Sequence, residues 1–486
     1  MSTMQIVDEQ LGRIASGNRF YNYNRTNWRF LLMSYLGGED YTRGQYLTRY
    51  AMEDDAAYTQ RLQITPLENH CKAVINVYNS FLFKDKPERD IGNLKDFPDV
   101  EEFLEDADLE GRSLDAFMKD VSTWASVFGH CWILVTKPNV NAITRADEQM
   151  IGVRPYVNLL TPLVVVDWHW ERLPSGKYDL KRLKYVEEIN GSVQTIKEWT
   201  PTEIITYTVD YDTRTILNKL VEGNGLGYVP AVCAYSQRSM VRGIGVSDIQ
   251  DIAGLQKFIY NQLSEVEQAI RVDNHPSLVK TNETQASAGA GSIVSIPENM
   301  DPGLKPYLLE TSGAQISSIY EAINNATDAI DKMANTNSVR ATSTKTLSGV
   351  AMQTEFQLLN AKLAEKADNL EHAEESVWRI FANYYNLDWD GCIEYQDSYS
   401  IQDADAEYAK LQMAKQAATS PETLALIDQK LIELISENLS INDDDIVIPV
   451  TEGTETFNIE AQIAMQDTEV VGENYDILEA REVIGE

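Results

Sequence analysis

The clearest regularity in the chain is a spacing of three and four between apolar residues. Ile249, Ile252, Leu255, Ile259, Leu263, Val266 and Ile270 keep it without a break, the period of a helix that buries one stripe. Ser247 to Gln250 has the form of a capping box, with Ser247 as the cap and Gln250 reaching back. The predicted helix runs to about Arg271, roughly 36 Å long at 1.5 Å per residue. A second stripe, Ile316, Ile319, Ile323, Ala326, Ile330 and Met333, alternates the same spacings in the manner of a heptad seam. A third and longer helix is predicted from Ser348 to Tyr385, its buried stripe marked by Phe356, Leu359, Leu363, Ala367, Leu370, Val377 and Phe381. Lys362, Glu365, Lys366, Asp368 and Glu371 fall mostly off that stripe, with several paired at i,i+4. Between the first two helices, 272–310 breaks the pattern with "AGAGS", several prolines and short strand candidates at "SLVKT" and "SIVSI".

Upstream, the first ninety residues read as helical. Pro66 stands at a helix start, and Val74, Tyr78 and Phe81 share one face. The polar, punctuated stretch "ERDIGNLKDFPDVEEF" reads as a connector, and Leu114, Phe117, Val121, Trp124 and Phe128 mark another helix. The period then changes to two. "CWILVTKP", "RPYVNLL", "PLVVVDWHW", "PTEIITYTVDYDTRTILNKL" and "GYVPAVCAYS" read as strands, and "KYVEEINGSVQTIKEW" as a hairpin with a type I′ turn at Asn190-Gly191. Residues 130–236 thus form a β-rich module inside a helical protein, and the fold class is α+β.

Composition narrows the partners. The 486 residues carry 75 Asp and Glu against 41 Lys and Arg, a net charge of −34. Such a surface is no grip for nucleic acid, which needs clustered cations. From Ser420 to Glu486 there are 17 acidic and 2 basic residues, a net of −15. Four cysteines at wide spacing without CxxC predict free thiols in a reducing compartment. The first residues have neither a basic nor an apolar signal region, and the apolar runs are strand-sized, far below the ~20 residues that span a bilayer.

Catalytic motifs are sparse. No P-loop occurs, and "GNGLG" at 223–227 precedes a strand where a dinucleotide site needs a helix. The histidines are scattered without HExxH, and His70-Cys71 and His130-Cys131, if on strands, would point to opposite faces. Asp443 to Asp445 and Glu53 to Asp55 read as solvated surface and a helix face; neither has the spaced ligands of a cation loop. No metal site, cofactor or catalytic residue is predicted. One local feature stands apart: between Lys332 and Glu355 no acidic residue occurs, while Arg340 and Lys345 sit there among serines and threonines.

The order of these elements resembles the portal protein of tailed bacteriophages. "GIGVSDIQDIAGLQKFIYNQLSE" resembles the start of a portal stem helix, "NHPSLVKTN" to "GSIVSIPENM" the clip, and "SGVAMQTEFQLLNAKLAEKADNLE" the helix after the channel loop. The resemblance implies a wing at 1–242, including the β-rich module 130–236. It implies stem helices at 243–271 and 311–336, with the clip at 272–310 between them. A channel loop at 337–347, a long wing helix and return at 348–402, and an acidic crown at 403–486 complete the layout. It further implies a structural, non-enzymatic protein of the virion, assembled in host cytoplasm as a dodecameric ring at the capsid vertex for genome packaging and ejection. Its partners would be the major capsid protein, the terminase motor, a head-completion or tail adaptor, and double-stranded DNA held without sequence specificity.

The residues expected to matter follow from that layout. Arg340, Thr342, Ser343, Thr344 and Lys345 would line the channel, with Ser and Thr offering neutral partners to phosphate oxygens. Ile249, Ile252, Leu255, Ile259, Leu263, Val266, Ile316, Ile319, Ile323 and Ile330 would pack the stem. The plainer reading of Arg340 and Lys345 is a polar helix connector with its cations paired. Two other classes stay open: another virion structural component, an adaptor or scaffold, and a metal-dependent nuclease using the acidic clusters.

Overall fold

The computed structural model describes residues 12, 14, 16–140, 145–274, 277–279, 301, 307–309, 314–340, 349–396, 399, 404–417 and 420–439. The chain separates into two compact units, Met1–Ser400 and Ile401–Glu486.

The first unit opens with helices α1 (Arg19–Leu36), α2 (Gly38–Arg43), α3 (Asp55–Ile64) and α4 (His70–Leu82). Asn18, Asp54 and Asn69 cap α1, α3 and α4 by accepting a first-turn backbone N–H, which satisfies donors that a helix start leaves open. The strand β1 (Glu88–Asp90) leads to α5 (Pro98–Glu105) and α6 (Leu114–Phe128), the last capped by Ser113. At Gly129 the chain turns left-handed, φ 88°, and runs at once into β2 (His130–Thr136). Every β2 residue but the last is buried, and β2 is the centre of a three-stranded antiparallel sheet between β3 (Tyr156–Leu160) and β9 (Ala231–Tyr235). The helix α7 (Arg145–Ile151) lies between β2 and β3 in the chain. A five-stranded meander, β4 (Val165–Arg172), β5 (Tyr178–Asn190), β6 (Val193–Trp199), β7 (Glu203–Asp210) and β8 (Thr215–Gly223), forms between β3 and β9 in the order of the chain.

After the short pair β10 (Gln237–Arg238) and β11 (Gly245–Val246) come α8 (Gln250–Asn274), β12 (Ser277–Val279), β13 (Tyr307–Leu309), α9 (Ala314–Ala334), α10 (Asn337–Arg340), α11 (Gly349–Asn383) and β14 (Cys392–Glu394). One apolar core joins α1, α4, α6, β2, β9, α8, α9 and α11, with Trp132, Trp378, Tyr78 and Phe381 among its largest members. The fold is therefore a mixture of helix and antiparallel sheet. In the second unit, α12 (Ala404–Ala417) and α13 (Pro421–Leu439) pack on each other, with Lys415 ion-paired to Asp428.

Several expectations are corrected. The 88–103 stretch is ordered secondary structure, because β1 finds a partner in β14 about three hundred residues later. The α4 start is His70, capped by Asn69 rather than begun at Pro66. The β5–β6 hairpin forms, but its two loop residues are Gly191 and Ser192, and only Gly191 has positive φ, so no type I′ turn exists there. Asp54 is a helix cap, and Glu53 is buried against Arg61 at 2.7 Å. Asp443 to Asp445 lie outside the described residues.

The phrase "GIGVSD" ahead of α8 has a steric and an electrostatic basis. Gly245 lies against Gly129, where a Cβ would come within 1.9 Å of the Gly129 carbonyl oxygen. Ser247 does not close a capping box with Gln250. Its Oγ accepts from the Ile249 N–H and donates to the Ser126 and Val127 carbonyls at the end of α6. Asp248 follows, and its carboxylate meets Lys366 Nζ at 2.6 Å, Lys362 Nζ at 3.3 Å and the Ser236 hydroxyl at 2.7 Å. Lys366 is thus buried on α11 instead of solvated, and it also donates to Ser126 and Ser236. Burial alone would raise the Asp248 pKa, but the two lysines and the hydrogen bonds outweigh it and bring it down to about 2.

Lys366→Met removes the nearer of the two lysines and leaves the buried Asp248 with Lys362 and the Ser236 hydroxyl, and is expected to cost about 3 kcal/mol in denaturant unfolding. Asp248→Asn combined with Lys366→Met is expected to cost clearly less than the two single losses summed. His130 carries a second expectation. Burial lowers its pKa from 6.5 to about 3, so the unfolded chain takes up the proton first and stability falls as pH drops below about 6.5. The loss is about 2 kcal/mol between pH 6.5 and 5. His130→Asn, measured by the same unfolding curves, should flatten that slope.

Candidate functional site

Helices α8 and α9 run side by side, and β12 and β13 join them as an antiparallel ribbon, Ser277 opposite Leu309 and Val279 opposite Tyr307. The excursion between these strands therefore leaves and returns at one place. Of the ten stem positions read from the sequence, Ile249, Ile252, Ile259, Leu263, Val266, Ile323 and Ile330 are buried, and Leu255, Ile316 and Ile319 are partly so. Met333, placed on the seam by its spacing, is exposed; Ala334 is buried instead, since the helix stops there and the next residues turn inward. Phe258, Ile270 and Tyr320 stand exposed on the pair, as do Asp251, Glu321 and Asp328.

The end of α9 is densely bonded. Asn335 is left-handed, φ 57°, the Thr336 N–H bonds to the Asp331 carbonyl, and the Asn335 N–H to that of Lys332. This is a Schellman stop with Asn in the place usually taken by Gly. The Tyr78 hydroxyl of α4 donates to the Ala334 carbonyl at 2.6 Å. The chain then makes the single turn α10, so the connector begins as helix and not as loop at 337–340.

Arg340 ends that turn. Its Nη1 lies 2.8 Å from Asp331 Oδ1, with the arginine side chain 16% and the aspartate 7% exposed. Its Nη2 lies 3.2 Å from His70 Nδ1. A guanidinium has no lone pair to offer, so Nδ1 accepts and the imidazole carries its proton on Nε2, which faces Glu68 at 3.3 Å. Burial, and then Arg340 itself, lower the His70 pKa, which keeps the ring neutral. Three residues back, the Asn337 amide spans both Glu355 carboxylate oxygens at 2.9 Å each, joining α10 to α11. Of the five residues read as lining a channel, Arg340 is thus held by Asp331 and His70. Thr342, Ser343, Thr344 and Lys345 lie outside the described residues.

Sequence reasoning missed Asp331, Glu355, Asn337 and His70. Asn335 was a legible helix stop. The contacts of Tyr78 with Ala334 and of His70 with Arg340 join positions 256 and 270 apart in the chain, which no local period reveals. Among the described residues no group of His, Cys, Asp and Glu is arranged to hold a metal ion, and no helix is long and apolar enough to cross a membrane.

No curated protein matches the chain. Solved structures do. The neck of an empty GTA particle, computed with C6 symmetry, aligns at a TM-score of 0.46 and 10% identity over 78% of this chain and 95% of that one. The virion of a native GTA particle aligns at 0.42 and 10%, over 80% and 97%. The neck of a native GTA particle, computed with C12 symmetry, gives 0.42 and 10%, over 82% and 98%. The profile of one family, described as phage portal protein, SPP1 Gp6-like, matches residues 6–426. A match across that much of the sequence shows that the chain belongs to this phage portal protein family.

Proposed function

We propose that the protein forms the ring-shaped channel at a capsid vertex through which double-stranded DNA is packaged and later ejected. The terminase would dock on it during packaging, and a tail adaptor afterwards. The observation that carries this reading is the family match over residues 6–426. In this assignment 1–242 is wing, 243–271 and 311–336 are the stem helices, 272–310 is the clip, 337–347 is the channel segment, 348–402 returns to the wing and 403–486 is the crown. The ring would be a homo-oligomer, dodecameric as in the native GTA neck computed with C12 symmetry, seated against the major capsid protein. The portal role is structural and calls for no catalytic residue or cofactor in the chain.

Physical chemistry supports the assignment. A DNA channel must neither hold its cargo nor let it wander. Exposed carboxylates on the stem pair, Asp251, Glu321 and Asp328, would repel phosphates, and screening limits that effect to about 8 Å at physiological salt. Segment 341–348 carries one cation, Lys345, with serines and threonines and no carboxylate. Such a segment would touch a duplex weakly and reversibly. Arg340, held by Asp331, anchors the segment, and Lys345 is the cation assigned to the DNA.

Electron micrographs of the purified protein are expected to show rings with a central hole; solitary compact particles would overturn the reading. Within the ring, Lys345→Ala is expected to assemble normally while changing DNA packaging or retention in infected cells. Unchanged packaging would remove Lys345 from the channel wall.

A further inference from the structure

The longest stretch of the chain without Asp or Glu is 10–38, and it carries four arginines and no lysine. Through residue 71 there are seven arginines, seven tyrosines and still no lysine. Helix α1 makes up most of the acid-free stretch. It buries Tyr21, Trp28 and Leu31 in the core and leaves Arg19, Asn22, Tyr23, Arg25, Thr26 and Arg29 exposed. At 3.6 residues per turn those six share one side of the helix. Arg43, Arg49 and Arg61, farther along, each have a carboxylate partner. Among the described residues, Arg19, Arg25 and Arg29 have no ion pair. Arg19 is also the first residue of α1, where a cation opposes the helix dipole. No charge contact within the described subunit accounts for these three arginines.

We propose that this face of α1 docks against carboxylates on a second copy of the chain, with Arg19, Arg25 and Arg29 as the pairing cations. Charge complementarity selects the occupant. Each copy carries −34, so copies brought side by side repel except where one abutting face reverses the prevailing sign. Closed rings are built from head-to-tail contacts, in which two different faces meet. A cationic strip on one side and the prevailing acidic surface on the other meet that condition. Arginine without lysine fits a protein partner. The guanidinium fork takes a carboxylate on two bonds, and Arg and Tyr are enriched in protein interfaces from which Lys is depleted. Tyr23, 83% exposed, adds ring area beside the cations. The same net charge disfavours a DNA duplex as the occupant. A helix of 18 residues, about 27 Å long, falls short of the roughly 800 Å² that each partner buries in a stable contact, so α1 is one strip of a wider interface. In the ring reading, on which this docking rests, α1 marks one lateral face of each subunit.

Mass photometry of the purified full-length protein in low and high salt supplies the test. The wild type is expected to associate, and to associate less as salt screens the exposed pairs. Arg19→Gln, Arg25→Gln and Arg29→Gln combined keep good helix formers at exposed positions. The triple variant is expected to raise the apparent dissociation constant about tenfold in low salt and to flatten the salt dependence, with an unchanged thermal melt. If the triple variant melts early, Arg25→Gln with Arg29→Gln carries the test, with a smaller loss in the same direction. Association equal to wild type in a folded variant overturns the docking. It does so even where the variant loses binding to a short labelled DNA duplex in fluorescence anisotropy, which would make the face a nucleic-acid grip. Rings that persist unaltered in the variant overturn the docking alone, whereas wild-type protein that stays solitary at every salt overturns the channel reading with it.

Discussion

The carboxylate of Asp248 is the point on which the first unit depends. It stands just ahead of α8 and gathers Lys362 and Lys366 from α11 and Ser236 from the end of β9. Ion pairs buried this deeply add little net energy compared with well-packed apolar groups, but breaking one is costly. Their value is in register. Sliding α11 by one turn, about 5.4 Å, would leave only one of the two lysines at the carboxylate and take Lys366 away from the Ser126 and Ser236 hydroxyls. The position of α11 along α8 is thus set to within less than a turn. Glu355 lies about 16 Å up the same helix from Lys366, so fixing the lower point also fixes where Glu355 meets Asn337. The pair at one end and the Asn337 contact at the other are linked through a rigid rod.

Tyr78 connects these two regions from the side. Its hydroxyl holds the Ala334 carbonyl, while Lys362 lies 4.8 Å from its ring centroid. One aromatic side chain from α4 therefore touches both the end of α9 and the lysine face of α11. Gln256 repeats the arrangement lower down, accepting from the Cys71 N–H and donating to the Ser34 carbonyl. Asp248, Tyr78 and Gln256, buried among the helices, have partners that specify one packing, and the apolar stripes around them supply the bulk of the burial.

Periodicity made the long elements legible. The stripes of α6, α8, α9 and α11 and the alternating strands of the β-rich module stood in the sequence because each buries one face, and burial leaves a period. What did not leave a period stayed hidden. β1 pairs with β14, and its sequence carries only polar residues. Lys366 reads as a solvated residue because lysines usually are, and only the fold reveals Asp248 opposite. Met333 fits the spacing of a seam and still points outward, because the seam ends where Asn335 stops the helix. The cationic stretch was visible as a gap in acidic residues, yet the sequence could not tell that Arg340 turns back to Asp331 rather than standing free of it.

That distinction resolves why an acidic chain leaves acid out of one short stretch. Asp331 and Glu355 are both engaged by residues of α10. A further carboxylate within the stretch would compete for Arg340 and Asn337, and would stand near two others of like charge. Removing acid from the segment keeps each partner choice single. The compositional gap thus keeps the contacts that anchor α10 specific.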